Sequence, residues 1–167
     1  SIFTSAFPRA KQTADIISTL GKDLLVQESE YLGEIRLPSE MVGKPKADRK
    51  SLQILSWLYS RKGGDSRYSD EETFNEYVSR ANAVLAHISK TGFENVVMVS
   101  HHRFIHILVG VILLGKELNP YLFSVLRQNM YVSNTGVTII EQHEGSWRLL
   151  TLNEHSHLKA AAADSLH

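Results

Sequence analysis

The chain has 167 residues, enough for one domain with a sizeable core, and its 18 basic and 18 acidic side chains cancel to a formal net charge of zero. That balance excludes the basic field of a nucleic-acid binder and leaves no acidic tail. The absence of cysteine excludes disulfide staples and thiol catalysis, and points to a reducing, cytoplasmic compartment.

Ile2-Phe3-Thr4 reads as the end of a strand. Ser5 is placed to cap a helix whose first turn holds Pro8, where a missing N–H costs little. Ala10, Thr13, Ala14, Ile17 and Leu20 share one face at helical spacing, and Gly21 is a fitting stop. Leu24-Leu25-Val26 reads as a short buried strand. From Glu30 to Asp48 no period holds, and Pro38, Gly43 and Pro45 break any helix; long loops in compact domains are usually functional. Leu52, Leu55 and Leu58 predict a helix ending at Gly63-Gly64. Ser69 followed by Glu72 reads as a capping box opening a long helix that carries Phe74, Tyr77, Ala81, Val84, Leu85 and Ile88.

Asn95 to Ser100 is a β-branched run that ends in His101-His102, and an apolar helix follows at once. This helix falls short of the ~20 residues that a bilayer span needs, and His106 and Gly110 interrupt it, so it reads as a core helix. A short helix is predicted from Tyr121 to Arg127. Val137 to Ile140 and Trp147 to Leu152 flank Glu144-Gly145 as a β-hairpin. Residues 159–167 form a tail expected to fray, after a single domain over residues 1–158. Strands alternating with helices predict an α/β three-layer sandwich with a mainly parallel central sheet, to which the hairpin adds an antiparallel edge.

A strand running straight into a helix places the intervening residues at the carboxyl edge of a parallel sheet, where ligands bind. The first free N–H groups of the helix point to the same place and suit an anion, most naturally a phosphate. A histidine there can bind phosphate, act as acid or base, serve as nucleophile, or be a solvated turn residue.

Three segments then line up. Thr4-Ser5-Ala6-Phe7-Pro8-Arg9-Ala10-Lys11-Gln12-Thr13-Ala14 is similar to the T-S-x-x-x-R-A-x-Q-T-A signature of the histidine phosphatase superfamily, the phosphoglycerate-mutase-like proteins. Val97-Met98-Val99-Ser100-His101 resembles its second histidine motif. Ser133 to Thr138, with Trp147-Arg148-Leu149 and Leu152-Asn153, resembles its closing hairpin. The resemblance implies transfer of a phosphoryl group to a histidine and then to water or another acceptor, with no cofactor and no metal. Phosphoryl transfer demands positive charge and hydrogen-bond donors around the equatorial oxygens. Arg9 would be one clamp, its guanidinium forking onto the phosphate. His101 would bind the phosphoryl group and stabilise its charge, which needs a proton on the nitrogen facing the phosphate and a pKa raised by the dianion. His102 and Arg103, where many relatives have glycines, are further candidates for phosphate or substrate contact. Glu34 resembles the acid that protonates the leaving group; Glu30 and Glu40 compete with it in the same loop. Glu72 and Arg80 have a family-like spacing, read as a capping box plus a charge that anchors the catalytic loops. His101, His102 and His106 could be drawn as a metal cluster, but no H-E-x-x-H pattern accompanies them.

The family's defining element, a strand ending in R-H-G whose histidine is the nucleophile, has no match, since Arg-His-Gly occurs nowhere in the sequence. The expectation is a copy lacking the first strand–helix unit, inactive alone, with apolar sheet edges left unpaired. The leading reading is a phosphohydrolase acting on a small phosphorylated substrate. A non-catalytic phospho-ligand-binding or interaction module and a phosphoglycerate mutase are the alternatives. No nucleic-acid or membrane partner is expected, and a homodimer is left open.

Overall fold

β1 (Ile2–Thr4) lies at the centre of a three-stranded parallel sheet, between β2 (Val26–Glu28) and β3 (Val97–Val99), in a computed structural model that describes residues 1–21, 24–45, 47–60 and 63–158. Ile2, Phe3 and Thr4 pair with Val26, Gln27 and Glu28 on one side and with Val97, Met98 and Val99 on the other. All three β1 residues are buried, as a central strand requires.

The two connections run in opposite directions from β1. α1 (Pro8–Leu20) carries the chain from β1 out to β2 and packs on the sheet with Ala10 and Ala14 buried. The return from β2 to β3 passes through α2 (Arg49–Ser60) and α3 (Phe74–Ile88). Right-handed crossovers in opposite directions place their helices on opposite faces. Phe3 accordingly enters a core cluster with Phe74, Tyr77, Ala81 and Val84 of α3, and with Phe104, Ile107 and Val111 of α4 (His102–Leu114). α5 (Pro120–Asn129) closes that core through Phe123.

β4 (Val137–His143) and β5 (Ser146–Glu154) form the expected hairpin about Glu144-Gly145. Both turn residues have positive φ, 49° and 78°, the geometry of the two-residue turns that match strand twist. Ile140 and Trp147 pack on the core. The hairpin does not extend the parallel sheet's edge, however; it is a second sheet of two strands.

Three further expectations are displaced. The second strand starts at Val26 rather than Leu24, and Leu24 and Leu25 are exposed, because β2 is an edge strand whose extent is set by pairing with β1. Phe7, not Ser5, is the N-cap of α1, and Ser5 Oγ instead accepts the Phe7 N–H at 3.3 Å. The capping box of α3 is Thr73 with Glu76, not Ser69 with Glu72: Thr73 Oγ1 accepts the Glu76 N–H at 3.2 Å and Glu76 accepts the Thr73 N–H at 2.7 Å. The helix opens only after Glu72 because the Glu72 carboxylate is drawn into another network. The expected end of α2 at Gly63-Gly64 follows residues 61 and 62, which lie outside the described residues. The tail 159–167 lies outside the described residues.

Candidate active site

The loops that follow β1 and β3 leave adjacent strands toward opposite faces of the sheet. Between them opens the crevice at which ligands bind in such sheets. Ser5 N–H donates to Val99 O at 3.0 Å, which ties the start of one loop to the end of the other strand. Pro8 at the first turn of α1 fixes the approach of Arg9, and His101 is the extended N-cap of α4.

In that crevice Arg9 Nη2 lies 2.8 Å from His101 Nδ1. A guanidinium only donates, so Nδ1 is the acceptor. The remaining nitrogen, Nε2, then carries the hydrogen and donates it to Ser5 Oγ at 2.8 Å. Phe7 stands edge-on to the His101 ring at 5.2 Å, and the Arg9 guanidinium rests 4.9 Å from the centre of the Phe7 ring. His101 is buried, and burial together with the Arg9 charge holds its imidazole below the ordinary value; Glu34 opposes this and Arg80 adds to it. The raised pKa expected from the sequence belongs to a site holding a dianion, whereas the protein's own groups act in the opposite direction.

Glu34 supplies the cap that α4 lacks. Its Oε1 accepts the N–H of Ile35 at 2.9 Å and of Phe104 at 3.1 Å, and its Oε2 accepts the N–H of Arg103 at 3.3 Å. The anion on the amino end of α4 is therefore a carboxylate of the protein, and these N–H groups are not offered to a phosphate. Glu34 is also held by its neighbours. Arg80 donates from Nη1 to Tyr31 O and Gly33 O, both at 2.8 Å, and pairs in a fork with Glu72 at 2.7 and 2.8 Å. Its guanidinium stacks on Phe104 at 4.3 Å. Glu72 Oε2 accepts the Arg36 N–H at 3.3 Å, so the loop is fastened on both sides of Glu34. The anchoring role read for Glu72 and Arg80 is present, without the capping box.

A cleft of about 410 Å³ opens beside these groups, lined by Phe7, Glu30, Glu34, Arg36 and Arg80 among others. Of the competing acids, Glu30 reaches its rim, while Glu40 is paired with Lys50 at 2.6 Å outside it. His102 turns away: its Nδ1 donates to Val132 O at 3.0 Å and its ring lies 4.6 Å from that of His106, tilted by 51°. Arg103 reaches Glu34 through its backbone, and its side chain lines a neighbouring crevice. His106 is buried with both ring nitrogens against carbonyls, of His102 and Met130, which leaves neither for a metal. Among the described residues, no group of three or more His, Cys, Asp or Glu is placed to hold a metal ion, and no helix is long and apolar enough to cross a membrane. Sequence reasoning missed Ser5 as the partner of His101; its position inside the first motif was the available signal.

The arrangement sets the His101 imidazole between a guanidinium on Nδ1 and a hydroxyl on Nε2, with the Glu34 carboxylate on the amino end of the helix that follows. Bacillus stearothermophilus YhfR shares the fold with a TM-score of 0.76 at 22% identity, over 95% of this chain and 76% of that one. Mycobacterial glucosyl-3-phosphoglycerate phosphatase in complex with inorganic phosphate gives 0.69 at 20% identity, over 92% and 76%. The α-ribazole phosphatase of Shigella flexneri gives 0.66 at 20% identity, over 92% and 72%. No curated protein matches the chain. At these identities the structural likeness speaks for the fold alone. The family model described as histidine phosphatase superfamily (branch 1), in contrast, runs over residues 1–155, from the strand before Arg9 through the closing hairpin. The chain belongs to the histidine phosphatase superfamily.

Proposed function

We propose that this protein is a phosphohydrolase for a small phosphorylated substrate, with Arg9, His101 and Ser5 as its phosphate cradle and Glu34 as the leaving-group acid. The observation that carries the reading is the 2.8 Å contact between Arg9 and His101 at the sheet's carboxyl edge. A phosphoryl oxygen entering there takes the Arg9 donor. It frees His101 Nδ1 to accept a proton and donate it to a second oxygen, giving the site its charge when the dianion is present. Glu34, at the cleft wall, would supply the proton to the departing alcohol.

The phosphohistidine step needs a nucleophile, and the Arg-His-Gly in which the family carries it does not occur in this sequence. The same absence favours a second reading, a phospho-ligand-binding module without catalysis. Both readings predict that orthophosphate binds and that Arg9→Ala abolishes binding. Retained affinity in Arg9→Ala, measured by ³¹P NMR, overturns the cradle. The 167-residue chain is expected to lack turnover of a generic aryl phosphate. A kcat in the usual enzymatic range of about 1–10³ s⁻¹ would show that the nucleophile lies within it.

A further inference from the structure

The three carbonyls that precede Glu34 are all held by side chains. Arg80 Nη1 donates to those of Tyr31 and Gly33, both at 2.8 Å. The carbonyl between them, on Leu32, accepts the Ser100 hydroxyl at 2.7 Å, from 68 positions away. Leu32 is buried in the core cluster. Ser29, just before it, donates its N–H to Thr4 O at 2.8 Å. These ties connect the loop to different parts of the molecule: Ser29 to β1, Arg80 to α3, and Ser100 to the residue that precedes His101. Two residues beyond Leu32, the Glu34 carboxylate accepts the N–H groups of Arg103 and Phe104. Residues 32 to 34 are therefore bound at both ends by residues 100 to 104, and the two contacts bracket His101. A serine tether has a single side-chain torsion between backbone and hydroxyl oxygen, so it leaves little slack between the two loops.

We propose that Ser100 is a positioning residue. By holding the Leu32 carbonyl it seats the Glu34 carboxylate on the first turn of α4, and so fixes the acid relative to the phosphate-binding His101. The proposal rests on the reading of Arg9 and His101 as cradle and Glu34 as acid, and adds the group that sets the spacing between them. A hydroxyl that only satisfied a carbonyl would contribute to stability and leave the carboxylate where it is.

Hydrogen exchange at single amides separates these roles. The N–H groups of Arg103 and Phe104 lie in the first turn of α4, where a helix offers no carbonyl, so their protection reports the Glu34 seat. Exchange is followed by NMR near neutral pH in the whole chain, in Glu34→Ala, Ser100→Ala and Ser100→Thr, with Ile107 and Val111 in the core of α4 as internal references. Both first-turn amides are expected to be protected in the parent and exposed in Glu34→Ala. In Ser100→Ala they are expected to exchange about tenfold faster relative to the references, the effect of losing one hydrogen bond of ordinary net worth. Ser100→Thr, which keeps the hydroxyl, is expected to restore them to within about twofold of the parent. Protection unchanged in Ser100→Ala, or lost equally at Ile107 and Val111, overturns the positioning role, as does a parent in which Glu34→Ala leaves both amides unaffected. Orthophosphate titration of the parent tests the cradle independently: binding leaves the cradle standing whatever the amides show, and no binding overturns it and the spacing role with it.

Discussion

His101 carries opposite demands at different stages of the proposed cycle. Burial and Arg9 keep it below its ordinary value of 6.5. The unfolded chain therefore takes up a proton more readily than the folded one, so His101 contributes stability that is fully present above about pH 6.5 and is lost as pH falls through the lower folded value. The melting temperature is expected to drop between about pH 7.5 and pH 5.5, and to drop less in His101→Gln. Parallel pH profiles in calorimetry would rule His101 out as the source. A bound dianion reverses the preference, so orthophosphate binding near neutral pH should take up a proton at His101, visible as a dependence of binding enthalpy on buffer ionisation and absent in His101→Gln. A guanidinium in the loop after β1 and an imidazole in the loop after β3 were readable in the sequence. Their mutual orientation was not. The tautomer of His101 is set by Arg9, 92 positions away, and Glu34 is seated by N–H groups 69 and 70 positions away.

At the scale of elements, the helices and strands were legible where a hydrophobic period or a turn residue marked them, and misread where tertiary partners compete for the same side chain. Ser69-x-x-Glu72 and Thr73-x-x-Glu76 are equivalent as patterns. Only the capture of Glu72 by Arg80 decides between them, and that contact spans a helix and a loop. Thr73→Ala is therefore expected to lower stability by about 1 kcal/mol, and Ser69→Ala to be close to neutral, as read by denaturant unfolding. The Arg80–Glu72 pair is mostly buried, with side-chain exposures of 15% and 13%. Arg80→Met leaves the Glu72 carboxylate uncompensated and also releases the Tyr31 and Gly33 carbonyls; the expected cost is about 3 kcal/mol. Arg80→Met/Glu72→Leu should recover a substantial part of it, since a removed pair costs less than a broken one. A double variant no more stable than Arg80→Met would assign the loss to the loop carbonyls instead.

Across the whole molecule, the parallel sheet has two edges of different character. β2 ends the sheet with Val26, Gln27 and Glu28, and its Glu28 is paired with Lys11 at 2.6 Å, a charged rim of the sort that discourages further pairing. β3 ends it with Val97, Met98 and Val99. The Val97 N–H donates to Ser1 O and the Val99 carbonyl accepts from Ser5, both at 3.0 Å, so these groups face β1. Peptide groups alternate along a parallel ladder, and those of Met98 consequently face outward, where no strand lies among the described residues. Val97 is 39% exposed at that rim, and the separate hairpin exposes Val137, Ile139 and Leu150. An apolar edge with outward-facing N–H and C=O groups is a template for another strand, such as the β3 edge of a second copy. Lysine on such an edge blocks edge-to-edge association at little cost to the fold. Val97→Lys is thus expected to reduce concentration-dependent association in sedimentation velocity while the melting temperature moves by only a few degrees. If the parent chain stays monomeric at every concentration, or if Val97→Lys associates as the parent does, the β3 edge is not the surface through which copies of this chain meet.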